Sequence, residues 1–559
     1  MPPNPPLRIA ILIDSTTVTE WQHQMLEKIQ STEVGTVAFA FIRGDTDQPI
    51  AKPPLAQSLL NSYLRWDAKK FAEKPTPYKQ RHITEIDPSI AVRTIKPNAS
   101  PQHDSLEESD IDSLRKLDID VMIQLGWRQL QGKILSLPRY GVWSYRYGNN
   151  PTKSDGLAGI QEHYYGDICT SITLQILSED SQNALIIDRT NIATDKSSVS
   201  KTQFKLYWRS AYMLPRKVAE LHQLGYENFR QRATRLKPER DTDFRAMPLL
   251  NSAEVNVTTA LRYITRNFSA YIKRALFQRR FDEKWMLYFK LGDELSTSIN
   301  EFHKIESAND RYWADPHVIE RDGVFYVFVE EFIQATEKGR IAVIQIDQDG
   351  TVGEAQTVLE EDYHLSYPFV FEHEGHTYML PEASDNRSLD LYQCVSFPNQ
   401  WKPVKSLMHD LRAKDATLFQ HDGLWWLFLN LCELKDNIND ELDELHLYSA
   451  KHFMTDEWTP HSKTVVVSDV RHARPAGALV RKDGKIYRPA QDCSVDYGYA
   501  LQLQQIIQLN EDDFEEIQAA RITPDWSEEI IGVHSLSYVP GITVVDAKRL
   551  IKKSDIEKP

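Results

Sequence analysis

Hydrophobic positions along this chain change their period once. In the first part, unbroken apolar runs alternate with helical stripes. Leu7–Asp14 is such a run, the pattern of a strand buried on both faces of a parallel sheet. Ser15, Thr16 and Thr17 then offer caps for a helix over Glu20–Ile29, with Trp21, Met25 and Ile29 on one face. Val34–Ile42 and Asp118–Leu125 read as further strands, with a helix over Ile111–Leu117 between them. This alternation predicts an α/β domain built on a parallel sheet. Lys201–Arg232 is amphipathic, with Leu206, Trp208, Tyr212, Val218 and Leu221 in its stripe, and Pro215 is expected to break it in two. A charged, Pro-containing stretch from Arg232 to Asn251 reads as a linker, and Val255–Arg279 as a helix with a basic end.

From Trp285 onward the period becomes two. Arg311–Glu331 reads as two strands joined at Asp322-Gly323, a pair of residues that tolerate positive φ and so favour a tight hairpin. The pattern recurs in Tyr367–Glu382, Asp415–Asn430 and Ala476–Gln491, with turn glycines Gly323, Gly375, Gly423 and Gly484. Repeats near this length, each worth a few strands, predict a β-propeller. A degenerate fifth copy at His534–Gly541, with Trp285–Ile305 supplying a closing strand, makes five blades. The predicted organisation is an α/β domain over residues 1–233, a linker and helix over 234–280, and an all-β five-bladed propeller over 281–559.

Composition narrows the function. A length of 559 residues suits two or three domains, and a formal charge of −15 argues against a nucleic-acid partner, which needs a clustered basic face. No apolar run approaches the roughly 18–20 residues of a membrane span, and Met1-Pro-Pro-Asn-Pro-Pro-Leu-Arg8 lacks the form of a secretory signal. Cys169, Cys394, Cys432 and Cys493 are scattered, with no Cys-x-x-Cys, so free thiols in a cytoplasmic setting and no zinc site are expected.

Within the repeats, the residue eight before each glycine falls at the start of an inner strand near the propeller axis: Asp315, Tyr367, Asp415 and Ala476. The residue seven after it is Glu330, Glu382, Asn430 or Gln491. An inner-strand Asp can simply bond backbone. Two of them at one offset, with Glu382 and Asp492 in the same pattern, favour a polar axial site. Arg474, Arg488 and Gln491 are candidates to hold an anionic group, and His534 to bind substrate or stand near an axial metal, though no metal set is assigned.

Two resemblances extend this reading. Pro138-Arg-Tyr-Gly141, Gly156-Leu-Ala-Gly159, Tyr165-Gly-Asp167 and Ile172–Leu177 resemble the formyltransferase fold. That resemblance implies a Rossmann-type sheet, 10-formyltetrahydrofolate as cofactor, and an Asn-His-Asp catalytic set. Here Ser144, Arg146 and Gln182 stand at those positions, and arginine cannot act as a base near neutral pH. The domain is therefore expected to be a degenerate formyltransferase, with amine formylation as the alternative. The propeller resembles the arabinanase, levansucrase and invertase superfamily through Trp-Ala-Asp315-Pro and Lys-Asp415-Ala, which implies catalytic roles for the two aspartates. Its acid is missing, because Arg471-His-Ala-Arg-Pro-Ala-Gly477 occupies the fourth blade, and this argues against ordinary glycoside hydrolysis. Arg474-Pro-Ala-Gly477, Tyr487–Cys493 and Tyr497–Leu501 resemble more specifically the N-terminal propeller of plant glucosamine inositolphosphorylceramide transferases. The implied function is carbohydrate-active, in glycan or glycolipid assembly, on a sugar or nucleotide-sugar substrate. A non-catalytic glycan-binding scaffold is the alternative.

Overall fold

A computed structural model describes residues 5–44, 54–99, 103–149, 158–179, 183–236, 256–431, 443–463 and 465–553. The chain forms two compact units, Met1–Ala270 and Tyr271–Pro559, divided within the helix Val257–Arg280.

The first unit is organised by a seven-stranded sheet in the spatial order Leu185–Ala193, Cys169–Ile176, Val142–Tyr147, Val121–Gln124, Leu7–Ile13, Gly35–Arg43, Ala91–Ile95. The last five run parallel, whereas Cys169–Ile176 and Leu185–Ala193 add antiparallel to one edge. The apolar run of Leu7–Ile13 is central, with Ile9, Ala10 and Ile11 fully buried, as a strand covered on both faces requires. Asp118 adopts a left-handed φ of 49°, so the following strand starts at Val121 rather than at the aspartate.

Pro215 does not break its helix. Val199–Leu224 runs through it, and the interruption falls at Gly225 (φ 72°), before a second helix at Tyr226–Thr234. The Tyr145 hydroxyl explains the continuity. It donates to the Ser210 carbonyl (2.6 Å) and accepts from the Leu214 N–H (3.1 Å), entering the backbone ladder where proline disturbs it.

The second unit is a five-bladed propeller. Blade one comprises Arg311–Arg321, Val324–Ile333, Lys338–Asp347 and Gln356–Leu359, and blade two comprises Ser366–His373, His376–Glu382, Ser388–Ser396 and Gln400–His409. Blade three begins with Ala413–His421 and Leu424–Leu431, and blade four is built from Val480–Lys482, Lys485–Asp492, Ala500–Leu509 and Phe514–Ile522. Blade five joins the two ends of the unit: Phe281–Leu291 pairs antiparallel with Ile542–Lys552 along its whole length and closes the ring. At the hairpins, Asp322-Gly323, Glu374-Gly375, Asp422-Gly423 and Asp483-Gly484 all have positive φ at both residues, the geometry their sequences predict.

Apolar side chains fill the gaps between blades. Val327 and Val329 meet Leu287 and Val544, Leu380 and Leu391 meet Leu418 and Leu427, and Trp426 and Phe428 meet Ile506 and Phe514. Blade four touches blade five through Ala476-Gly477. Ala476 accepts from the Leu536 N–H (2.7 Å), and a Cβ on Gly477 would lie 1.9 Å from the Leu536 carbonyl oxygen. Only glycine fits there. Among the described residues no helix is long and apolar enough to cross a membrane.

Candidate functional site

Three inner strands break at the same offset. The pairing of blades one, two and three slips between Ala314 and His317, Ser366 and Phe369, and Lys414 and Thr417. Within each slip one residue is left-handed: Asp315 (φ 51°), Tyr367 (φ 43°) and Asp415 (φ 51°). Aspartate tolerates this region, but a tyrosine there is strained, and strain of this kind collects at functional positions. Each bulge turns its side chain out of the strand alternation. The three residues then join one buried network.

Asp315 is its first node. Its Oδ2 accepts from the Tyr367 N–H (3.2 Å) and its Oδ1 from the Ser535 hydroxyl (3.0 Å), while His534 Nε2 stands 3.3 Å away. Asp546 lies behind. Its carboxylate accepts from the backbone N–H groups of Asp315 (2.9 Å), His534 (3.1 Å) and Ser535 (2.9 Å). His534 Nδ1 is 2.7 Å from Asp546 Oδ2, and the imidazole stacks on Trp285 at 3.9 Å between centroids. Burial disfavours charge on His534, yet Asp546 and Asp315 raise its pKa above the ordinary value. A metal ion would find ligand atoms of Asp315, His534 and Asp546 all within 4.8 Å of one another. The imidazole also stands as an ion-pair partner between the two carboxylates, while its Nδ1 makes no hydrogen bond.

Asp415 is the second node. Its Oδ2 accepts from Arg474 Nε and from Gln491 Nε2 (3.0 Å), and its backbone N–H donates to Glu382 Oε2 (3.2 Å). Lys414 Nζ donates to Glu382 Oε1 (2.7 Å), and Arg474 lies 5.2 Å from the Tyr497 ring centroid. Tyr367 spans towards this node, its hydroxyl 2.8 Å from Thr417 Oγ1. Arg474, a candidate to hold a ligand anion, pairs with Asp415.

The electrostatics are uneven. Asp315, Glu330, Glu382, Asp415 and Asp546 face three cations, Lys414, Arg474 and His534. Burial opposes ionisation of Glu382, but Lys414 and Arg474 carry it down to about 2. Glu330 goes the other way: burial, then Asp315 and Glu382, hold its pKa well above the carboxylate range. Burial also pushes Asp415 up to about 7, against the pull of Arg474. Neighbouring carboxyl groups with pKa values driven apart can serve as one anion and one proton donor. His364 Nε2 stands 3.4 Å from Glu330 Oε1 and is held below its usual pKa by burial.

Other sequence candidates lie outside this network. Arg488 is fully buried but is held by Glu516 (2.7 and 2.9 Å) and the His472 carbonyl (2.6 Å). Asp492 accepts from Ser494 (2.6 Å) and Arg521 (2.7 Å). Asn430, at the offset of Glu330 and Glu382, turns its amide to the Glu444 carbonyl. In the first unit Ser144 and Arg146 lie on Val142–Tyr147; burial and the neighbouring Arg189 lower the pKa of Arg146. Gln182 and Cys432 lie outside the described residues.

Sequence reasoning missed Asp546, Lys414 and Ser535. Asp546 falls five residues after Gly541, not seven, so the repeat offset skips it. The available signal is a lone carboxylate in the apolar run Val544-Val-Asp-Ala547.

Residues 301–528 match the family model described as glucosamine inositolphosphorylceramide transferase 1, N-terminal. Glucosamine inositolphosphorylceramide transferase 1 of Oryza sativa subsp. japonica is 33% identical over 207 residues, covering 36% of this chain and 27% of that protein. The protein of the same name from Arabidopsis thaliana is 32% identical over 211 residues, covering 37% and 27%. The chain thus spans about a quarter of the length of these curated relatives. Among solved structures, an alpha-L-arabinofuranosidase from Lactobacillus brevis is similar with 12% identity over 42% of this chain and 81% of that one (TM-score 0.33). Glycinamide ribonucleotide transformylase 1 from Symbiobacterium toebii matches with 14% identity over 39% and 88% (TM-score 0.26).

Proposed function

We propose that the propeller binds a sugar-containing substrate of glycan or glycolipid assembly at this axial cluster and takes part in a transferase reaction there. One observation carries the reading: three successive inner strands bulge at the same offset to bring Asp315, Tyr367 and Asp415 into one buried network with more carboxyl groups than cations. A fold needs no such arrangement, and an excess of buried carboxyl groups is costly unless a ligand uses it. The match of residues 301–528 to a domain named for a glucosamine inositolphosphorylceramide transferase supports the substrate class. Asp315 and Asp415 accept from substrate hydroxyls, Glu330 supplies a proton, and Arg474 meets an anionic group such as phosphate.

Thermal-shift and calorimetric titration with amino sugars, nucleotide sugars and inositol phosphates tests the proposal on wild type, Asp315→Asn and Asp415→Asn. A ligand that binds wild type at least tenfold more tightly than both variants supports it. If no ligand distinguishes the three proteins, the reading fails. Formyl transfer by the first unit would require a base at Arg146, and a guanidinium is not one near neutral pH.

A further inference from the structure

The helices Leu55–Lys70 and Val257–Arg280 pack together through Ala56 with Ala260 and Tyr63 with Tyr263. Their outward side is unusual for a chain of net charge −15. Within the first unit the two helices carry five lysines and arginines between them, Arg65, Lys69, Lys70, Arg262 and Arg266, and the second helix contains no aspartate or glutamate. The one carboxylate, Asp67, is fully buried and accepts from Ser198 (2.9 Å) and the Ser200 N–H (2.9 Å), so it offsets none of the surface charge.

Large apolar side chains are exposed on the same helices within the first unit: Leu55 (67%), Trp66 (39%), Leu261 (47%) and Phe268 (50%). Trp66 and Phe268 lie with ring centroids 6.1 Å apart, which joins the two helices' apolar surfaces. On the second helix, within the first unit, Leu261 and Phe268 recur at an interval of seven and share one side, while Ala260, Tyr263 and Asn267 form the buried face. Arg262 is exposed beside them, as are Arg65, Lys69 and Lys70 on the first helix.

We propose that this two-helix face docks on an anionic membrane surface, its apolar stripe entering the headgroup boundary and its lysines and arginines meeting lipid phosphates. Exposed apolar stripe, cationic flank and an aromatic anchor are the combination such a surface selects. A second copy of the chain is the poorer occupant, because self-association through a two-fold axis would set cation against cation.

The test is co-sedimentation of the full chain with vesicles of phosphatidylcholine alone or with one part in three phosphatidylserine, at low and at physiological salt. Wild type is expected to bind only the anionic vesicles, and less at higher salt. Each lysine or arginine near such a surface contributes roughly fivefold in binding, so Lys69→Glu/Lys70→Glu/Arg262→Glu should lose at least tenfold. Leu261→Ser/Phe268→Ser, which keeps the charge, should also lose at least tenfold. Unchanged unfolding transitions for these surface variants separate lost docking from misfolding. Absence of wild-type binding, or equal binding by both variants, overturns the proposal. So does a wild-type dimer that becomes monomeric in Leu261→Ser/Phe268→Ser while lipid has no effect.

Discussion

Glu382→Gln tests the electrostatics of the axial cluster directly. The side chain is buried, receives Lys414 Nζ at 2.7 Å and the Asp415 N–H at 3.2 Å, and its carboxyl is held at about 2. A fall from the ordinary 4.5 to about 2 corresponds to about 3 kcal/mol of native stability at neutral pH. Glutamine keeps the shape and loses the charge, so the variant should be destabilised by about that amount at pH 7. The sign follows from the depressed pKa: this stability is fully present above about 4.5 and is lost as pH falls towards 2. Urea unfolding of the full chain at pH 7, 5.5 and 4 provides the assay, read on the transition that a propeller-core change such as Leu427→Ala also moves. The difference between wild type and Glu382→Gln should hold from pH 7 to 5.5 and begin to shrink at pH 4. A difference below about 1 kcal/mol at pH 7 would refute the reasoning, because the buried carboxylate would then gain nothing from Lys414 and Arg474.

Glu330 should behave oppositely. Its raised pKa means that the native state favours the protonated acid, so its contribution is full below about 4.5 and is lost as pH rises; Glu330→Gln should match wild type near pH 4 and become the more stable of the two at pH 9 in the same unfolding assay. Gly477→Ala places a methyl group 1.9 Å from the Leu536 oxygen and should cost at least about 3 kcal/mol, with hydrogen exchange rising in Leu536–Val539 as blades four and five part. Tyr145→Phe removes the hydroxyl that bridges Ser210 and Leu214 and should cost about 1–2 kcal/mol, seen as faster amide exchange around Pro215.

Much of this protein is legible in its sequence because the relevant physics is local. Asp-Gly at Asp322-Gly323, Asp422-Gly423 and Asp483-Gly484 fixes hairpins through the φ each residue tolerates, and the spacing of the hairpins then counts the blades. The strands Leu7–Ile13 and Gly35–Arg43 follow from apolar runs that only a doubly covered sheet accommodates. Asp315 and Asp415 stand out in the sequence as candidates because a repeat puts equivalent residues at equivalent places. What the sequence could not decide is which groups meet after the ring closes. Asp546 reaches Asp315 across 231 residues, and Arg474 reaches Asp415 across 59, distances over which no local pattern operates. Pro215 makes the same point in the first unit: its local effect is to end a helix, and a tyrosine hydroxyl from a neighbouring strand reverses it. Protonation is the furthest from the sequence. Glu330 and Glu382 occupy the same offset in successive blades, yet one is driven up and the other down, because only the closed propeller puts Lys414 and Arg474 beside the second.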